Sequence, residues 1–293
     1  MPIEALKKRI KTTEDLREIV NNMKMLSSVS INQYEQANNA LDKYRRNLKD
    51  AFHALVLQHK LPNLNIAKNA HRRYLYILIG SDNGMVGRFN KEIIEKVNSD
   101  LRQKHLSKQD VLFLVIGKRL AMLAEQTNWQ IWTMYANANS VKAVSSLAES
   151  IILKIDEVTQ KERISNVCVW YHQRYGNASV RLDAREIIPI SLENIEKLKT
   201  QKWETNNIPM VALSPQKMLS SLINEMLMIA ISKQLNASLV AEHFTRMNNM
   251  QNAEQNIDEN LAEMNLAYQQ QRQEDITDEL IDIISGAEAM RKK

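Results

Sequence analysis

Two long stretches of the chain, residues 3–61 and 216–285, contain neither glycine nor proline. These are the residues that most readily end a helix, so each stretch is free to be one continuous helix. The chain holds only 6 Gly and 5 Pro among its 293 residues. Apart from Pro2 and Gly286, all of them fall between Pro62 and Pro215. At about 1.5 Å per residue the first stretch would span roughly 88 Å and the second about 105 Å, against an average helix of roughly 11–12 residues. Helices of that length need a partner along their whole seam, and the economical partner is each other.

The apolar spacing agrees. Tyr34, Ala37, Leu41, Tyr44, Leu48, Ala51 and Leu55 recur at alternating steps of three and four, with Leu16, Ile19, Met23 and Leu26 spaced similarly upstream. The last stretch opens on Ser214-Pro215, an N-cap followed by proline at the first helical position. Its seam is Val240, Phe244, Met247, Met250, Ala253, Ile257, Leu261, Met264 and Tyr268, and Ser285-Gly286 reads as its stop. The intervening chain returns the second helix to the first, so the pair is expected to run antiparallel as a two-helix coiled coil.

The middle alternates short apolar, β-branched runs with amphipathic ones. Strands are expected at 74–79, 111–116, 130–134, 167–175 and 180–190, the last two as a hairpin around Gly176-Asn177. Helices are expected at 89–106, 118–126 and 140–158. Strand-helix-strand alternation implies a mostly parallel sheet in a Rossmann-like α/β domain. The reading is α/β with three parts: an N-terminal coiled-coil helix over 1–61, a central domain over 62–213 and a C-terminal coiled-coil helix over 214–293.

Candidate chemistry is sparse. Gly84 and Gly87 follow a strand and precede a helix, yet the loop has neither the three glycines of a dinucleotide fingerprint nor the Gly-Lys-Ser/Thr ending of a phosphate loop. A tight strand-to-helix turn accounts for both. The six histidines are scattered, and a single cysteine, Cys168, inside an apolar strand, forms no internal disulfide and reads as a small core residue in a reducing compartment. No catalytic, cofactor or metal group is expected. A net charge of +5 and a pI near 9.1 favour acidic partners without naming one. No apolar run reaches the roughly 18 residues of a membrane span, so direct membrane insertion is not expected.

One segment breaks the seam. Gln269-Gln270-Gln271-Arg272-Gln273-Glu274-Asp275 is polar on every face of its helix. Such a helix is either solvated or meets a polar partner surface.

The stretches Arg246-Met247-Asn248-Asn249-Met250-Gln251-Asn252-Ala253 and Arg272-Gln273-Glu274-Asp275-Ile276-Thr277-Asp278-Glu279-Leu280 resemble the C-terminal motifs of the gamma subunit of F-type ATP synthases. Leu6-Lys7-Lys8-Arg9-Ile10 and Met23-Lys24-Met25-Leu26-Ser27 resemble that family's opening helix, and Ser81-Asp82-Asn83-Gly84-Met85-Val86-Gly87 its central turn. Asn83, Val86 and Arg88 depart from the usual arginine, cysteine and glycine, which suggests a divergent branch of the alternate or sodium-associated kind. The resemblance implies a non-catalytic rotor shaft that couples ion flow through a membrane c-ring to ATP synthesis or hydrolysis. Its implied partners are three alpha and three beta subunits, an epsilon subunit and the c-ring, at the cytoplasmic face of a bacterial plasma membrane or thylakoid. It implies that Arg272, Gln273 and Thr277 bond a catch loop of a beta subunit, and that Met23, Lys24 and Arg246 face the acidic lever region of beta.

Two readings of other classes stand beside it. A coiled-coil scaffold or nucleic-acid-associated protein would need its basic residues in one stripe with interleaved aromatics, whereas charges are mixed and aromatics are 5%. A nucleotide-dependent enzyme would need a complete glycine fingerprint and an acidic ribose partner.

Overall fold

The computed structural model describes residues 3–59, 73–176, 179–189, 201–203, 207, 209–210 and 214–291. Two terminal helices, α1 (Ile3–Gln58) and α5 (Pro215–Arg291), flank the α/β elements. The chain divides into two compact units, one formed by Met1–Ser28 with Arg246–Lys293 and the other by Val29–Thr245.

In the larger unit the order is β1 (Arg73–Ile79), α2 (Phe89–Gln103), β2 (Val111–Ile116), α3 (Lys118–Ala124), β3 (Gln130–Tyr135), α4 (Val141–Glu162), β4 (Ile164–Tyr175) and β5 (Ser179–Ile188). The sheet runs β3-β2-β1-β4-β5, parallel except for the antiparallel β4–β5 pair. Every strand and internal helix expected from the sequence is present, with ends shifted by a few residues, and Ile190, the expected end of the last strand, lies outside the described residues. Gly176 occupies the left-handed region at φ 59 after β4, while Asn177 of the expected hairpin lies outside the described residues.

The central strands are apolar runs because helices cover both faces. Tyr76, Leu78, Phe113, Val115 and Trp170 pack on one face with Ile93, Val97 and Leu101 of α2 and Leu120 of α3. By alternation Leu75, Ile77 and Ile79 turn to the opposite face, all fully buried, and α4 lies against β4. Ser140 caps α4, its side chain accepting from Ala143 N at 3.2 Å. At the ends of β1 and β2 the backbones meet so closely that a Cβ on Gly117 would stand 2.7 Å from the carbonyl carbon of Gly80.

In the larger unit α5 is sheltered on all sides from 229 to 245. Ser238 Oγ donates to the Ile79 carbonyl at 3.3 Å, and Ala241 packs with Val86 and Phe89. On its other side Leu219, Leu222 and Ile229 pack with Leu48, Phe52 and Leu55 of α1. Lys233 pairs with Asp42, and Tyr44 donates to Glu225 at 3.1 Å.

In the smaller unit α1 and α5 are paired by Arg17–Asp258 at 2.6 Å and by Lys24–Glu254. The expected α5 seam positions of this unit, Met247 to Tyr268, are each buried or half-buried, as are Val240 and Phe244 in the larger unit. The α1 seam differs from expectation. Of the expected positions, Leu16, Ile19, Leu26 and, in the larger unit, Tyr44 are exposed while Met23 is half-buried, and the sheltered positions of this stretch also include Leu6, Ile10, Thr13, Val20 and Ser27. Both sets have heptad spacing, so period alone does not choose between them. The ion pairs Arg17–Asp258 and Lys24–Glu254 join the two helices in this stretch. The expected stop at Ser285-Gly286 is likewise absent: α5 continues to Arg291. A glycine costs a helix only about 1 kcal/mol relative to alanine, which is too little to end it alone.

Candidate functional site

In the loop after β1, where a phosphate cradle would lie, Ser81 and Asp82 are committed to the fold. Ser81 N donates to Asn90 Oδ1 at 2.9 Å, Asn90 Nδ2 donates to Ser81 Oγ at 2.8 Å, and Ser81 Oγ donates to the Asn83 carbonyl at 2.9 Å. Asp82 Oδ1 accepts from Lys118 N at 2.8 Å and from Asn137 N at 2.9 Å. Asp82 is therefore a clasp between loops. Open α/β sheets take ligands where strand order reverses, at the carboxyl ends of the strands. Here that point lies between β1 and β4, and α5 fills it through Ser238 and Ala241.

What the pinned loop carries is an exposed methionine beside a groove. Met85 is held at φ 65, unusual for a non-glycine residue, and is 57% exposed. It borders a groove of about 410 Å³ with Met122, Arg119 and Lys91. The sequence signal for this surface was weak, because the loop's glycines direct attention to phosphate rather than to the methionine between them.

Buried titratable groups point to packing. Burial pushes the Cys168 thiol up to about 12. Burial also pulls His172 down to about 4, its ring stacked on Phe89 at 3.8 Å and its Nε2 3.4 Å from Glu92 Oε2, whose negative charge opposes the shift. Among the described residues no three His, Cys, Asp or Glu gather in a metal-binding group, and no helix is long and apolar enough to cross a membrane.

All six residues singled out for partner contact lie in the smaller unit. Met23 and Lys24 are half-buried, with Lys24 bound to Glu254. Arg246 is 5% exposed and engaged within the protein. Arg272, Gln273 and Thr277 are exposed on α5, and Thr277 Oγ1 donates to the Gln273 carbonyl at 2.8 Å. Eighteen residues separate Glu254 from Arg272, about 27 Å of helix, so the six form a lower and an upper group rather than one site. The polar run from Gln269 to Asp275 is helical and mostly exposed.

Sequence reasoning missed an apolar tip beyond that run. Ile276, Leu280, Ile281, Ile283, Ile284 and Met290 are exposed, Ile283 at 68%. The signal was present as an apolar stripe extending past the end of the assigned seam. With Leu16, Ile19 and Leu26, it gives the unit uncovered apolar side chains on both helices. A single chain seldom leaves so much apolar surface in water unless a partner covers it.

These features define a class: an α/β protein whose paired terminal helices carry surfaces built for assembly, with the sheet's ligand crevice closed by its own helix. The chain belongs to the ATP synthase family whose model matches residues 2–290, and its curated relatives are named ATP synthase gamma chain. It is 24% identical over 286 residues to that chain of Clostridium kluyveri, covering 98% of this chain and 97% of the relative. It is 27% identical over 300 residues to that of Campylobacter lari, covering 99% of each. The fold also matches a chain of the Euglena gracilis mitochondrial ATP synthase OSCP/F1/c-ring structure, with a TM-score of 0.67 at 18% identity, covering 98% of this chain and 94% of that one.

Proposed function

We propose that this protein is the central rotor shaft of an F-type ATP synthase, mechanically coupling ion flow through a c-ring to ATP synthesis or hydrolysis in a hexamer of three alpha and three beta subunits. The family match across nearly the whole chain carries this reading. The uncovered apolar stripe on α1 and the apolar tip of α5 support it, since a shaft buried in a ring of partners keeps such side chains dry only in the assembly. The helices of 1–61 and 214–293 form the shaft, and the domain of 62–213 joins the c-ring and an epsilon subunit at the cytoplasmic membrane face.

The chain supplies no catalytic group. Its work is positional: an off-axis shaft touches three equivalent nucleotide sites differently, and differential contact shifts each site's conformational population. Arg272, Gln273 and Thr277 hydrogen-bond a beta-subunit catch loop. Their exposure, with Arg272 and Gln273 inside the polar run and Thr277 just past it, suits a hydrogen-bonded contact that must break and re-form at each step. Met23, Lys24 and Arg246 form the lower contact. Lys24 faces the acidic lever while its amine is shared with Glu254.

The test is Arg272→Ala with Gln273→Ala in the assembled enzyme. The expected result is a lower ratio of ions pumped to ATP hydrolysed with the isolated subunit still folded. A double variant that equals the parent in both ATP-driven pumping and ion-driven synthesis overturns the catch assignment.

A further inference from the structure

A rotor shaft must be fastened to its body, and one level of the larger unit ties three elements together. Arg174, near the end of β4, donates from Nη1 to Glu35 Oε1 of α1 at 2.9 Å. Its guanidinium lies 4.5 Å from the ring centroid of Phe244 on α5, a buried side chain. Its Nε donates to the Gly176 carbonyl at 3.1 Å. One residue along on each helix, Tyr34 of α1 and His243 of α5 stack with centroids 5.9 Å apart and planes at 19°. Strand and helices therefore interlock at Tyr34-Glu35, Arg174 and His243-Phe244.

We propose that Arg174 is the bolt through which torque passes between the sheet and both shaft helices, a positioning residue for rotation. The inference rests on the rotor reading. A body turned by the ring pushes the shaft sideways, and a fastening to one helix alone would let the other lag and the pair unwind. Arg174 holds both at one height, α1 through an ion pair and α5 through an aromatic face. The guanidinium suits this double role because it is planar, permanently charged and able to stack, whereas an ammonium offers a point charge. The side chain is 23% exposed, so the pair with Glu35 is only partly screened. The neighbouring Lys233–Asp42 pair joins α5 to α1 without touching the sheet, which makes it the natural control.

The experiment reassembles the chain with its alpha/beta hexamer and c-ring and reads torsional stiffness from the rotational fluctuations of a probe on the body, alongside the pumping ratio. Arg174→Ala is expected to soften the shaft about twofold and lower the pumping ratio. Arg174→Lys is expected to restore part of the stiffness, and Arg174→Glu with Glu35→Arg to restore the ion-pair share. Asp42→Asn is expected to lower thermal stability with stiffness unchanged, and a merely structural Arg174 would behave the same way on substitution. An assembled, rotating Arg174→Ala enzyme with parental stiffness overturns the proposal and leaves the rotor reading standing. A parent chain that assembles with no hexamer overturns the rotor reading itself. Should Arg174→Ala not assemble, Glu35→Gln decides: softening supports the bolt and parental stiffness overturns it.

Discussion

At the scale of single residues, the molecule spends its unusual environments on packing. His172 is the clearest case, with its ring against Phe89 and a pKa lowered to about 4 by burial. The neutral form is the one the fold accepts, so the stabilising contribution is complete above the unfolded value of about 6.5 and is lost as pH falls through that value toward 4. The expected loss is on the order of 3 kcal/mol across that window. Denaturant unfolding between pH 8 and 4 measures it, and His172→Phe should flatten the profile. Cys168 gives a second expectation. With its thiol pushed up to about 12 inside the core, it should resist maleimide at pH 8 in the native protein and react in denaturant.

At the scale of elements, the two helices show how far periodicity reaches. On α5 the stripe from Val240 to Tyr268 is the sheltered seam, each of its positions buried or half-buried. On α1 before Ile31 two heptads overlap, and the one the rule selects is sheltered only at Met23, with Leu16, Ile19 and Leu26 exposed. Leu16→Ser and Leu26→Ser should therefore change the isolated subunit's stability by no more than about 0.5 kcal/mol while weakening assembly with the hexamer. Leu55→Ala, at a fully buried seam position, should cost about 2–5 kcal/mol. Chemical melts and a pull-down with alpha and beta subunits separate the two effects. The strands were legible for a simpler reason: runs such as VLFLVI are apolar on both sides, which suits only a strand covered on both faces.

At the scale of the whole molecule, an α/β sheet usually offers a ligand crevice where its strand order reverses, and this one places α5 there. The isolated chain is accordingly expected to show no ATP or ADP binding by calorimetry, and a micromolar heat signal would count against the closed crevice. The absence of helix breakers at both ends, the apolar strands between them and the polar run near Arg272 were all set by the sequence alone, because chain stiffness, period and polarity are local properties. Three matters needed the tertiary structure: which face of α1 turns inward, that Asp82 is a clasp rather than a ligand, and that Arg174 reaches Glu35 and Phe244 at once. Each depends on side chains far apart in sequence meeting in space, as Glu35 and Arg174 do across 139 positions, and no local pattern records such a meeting.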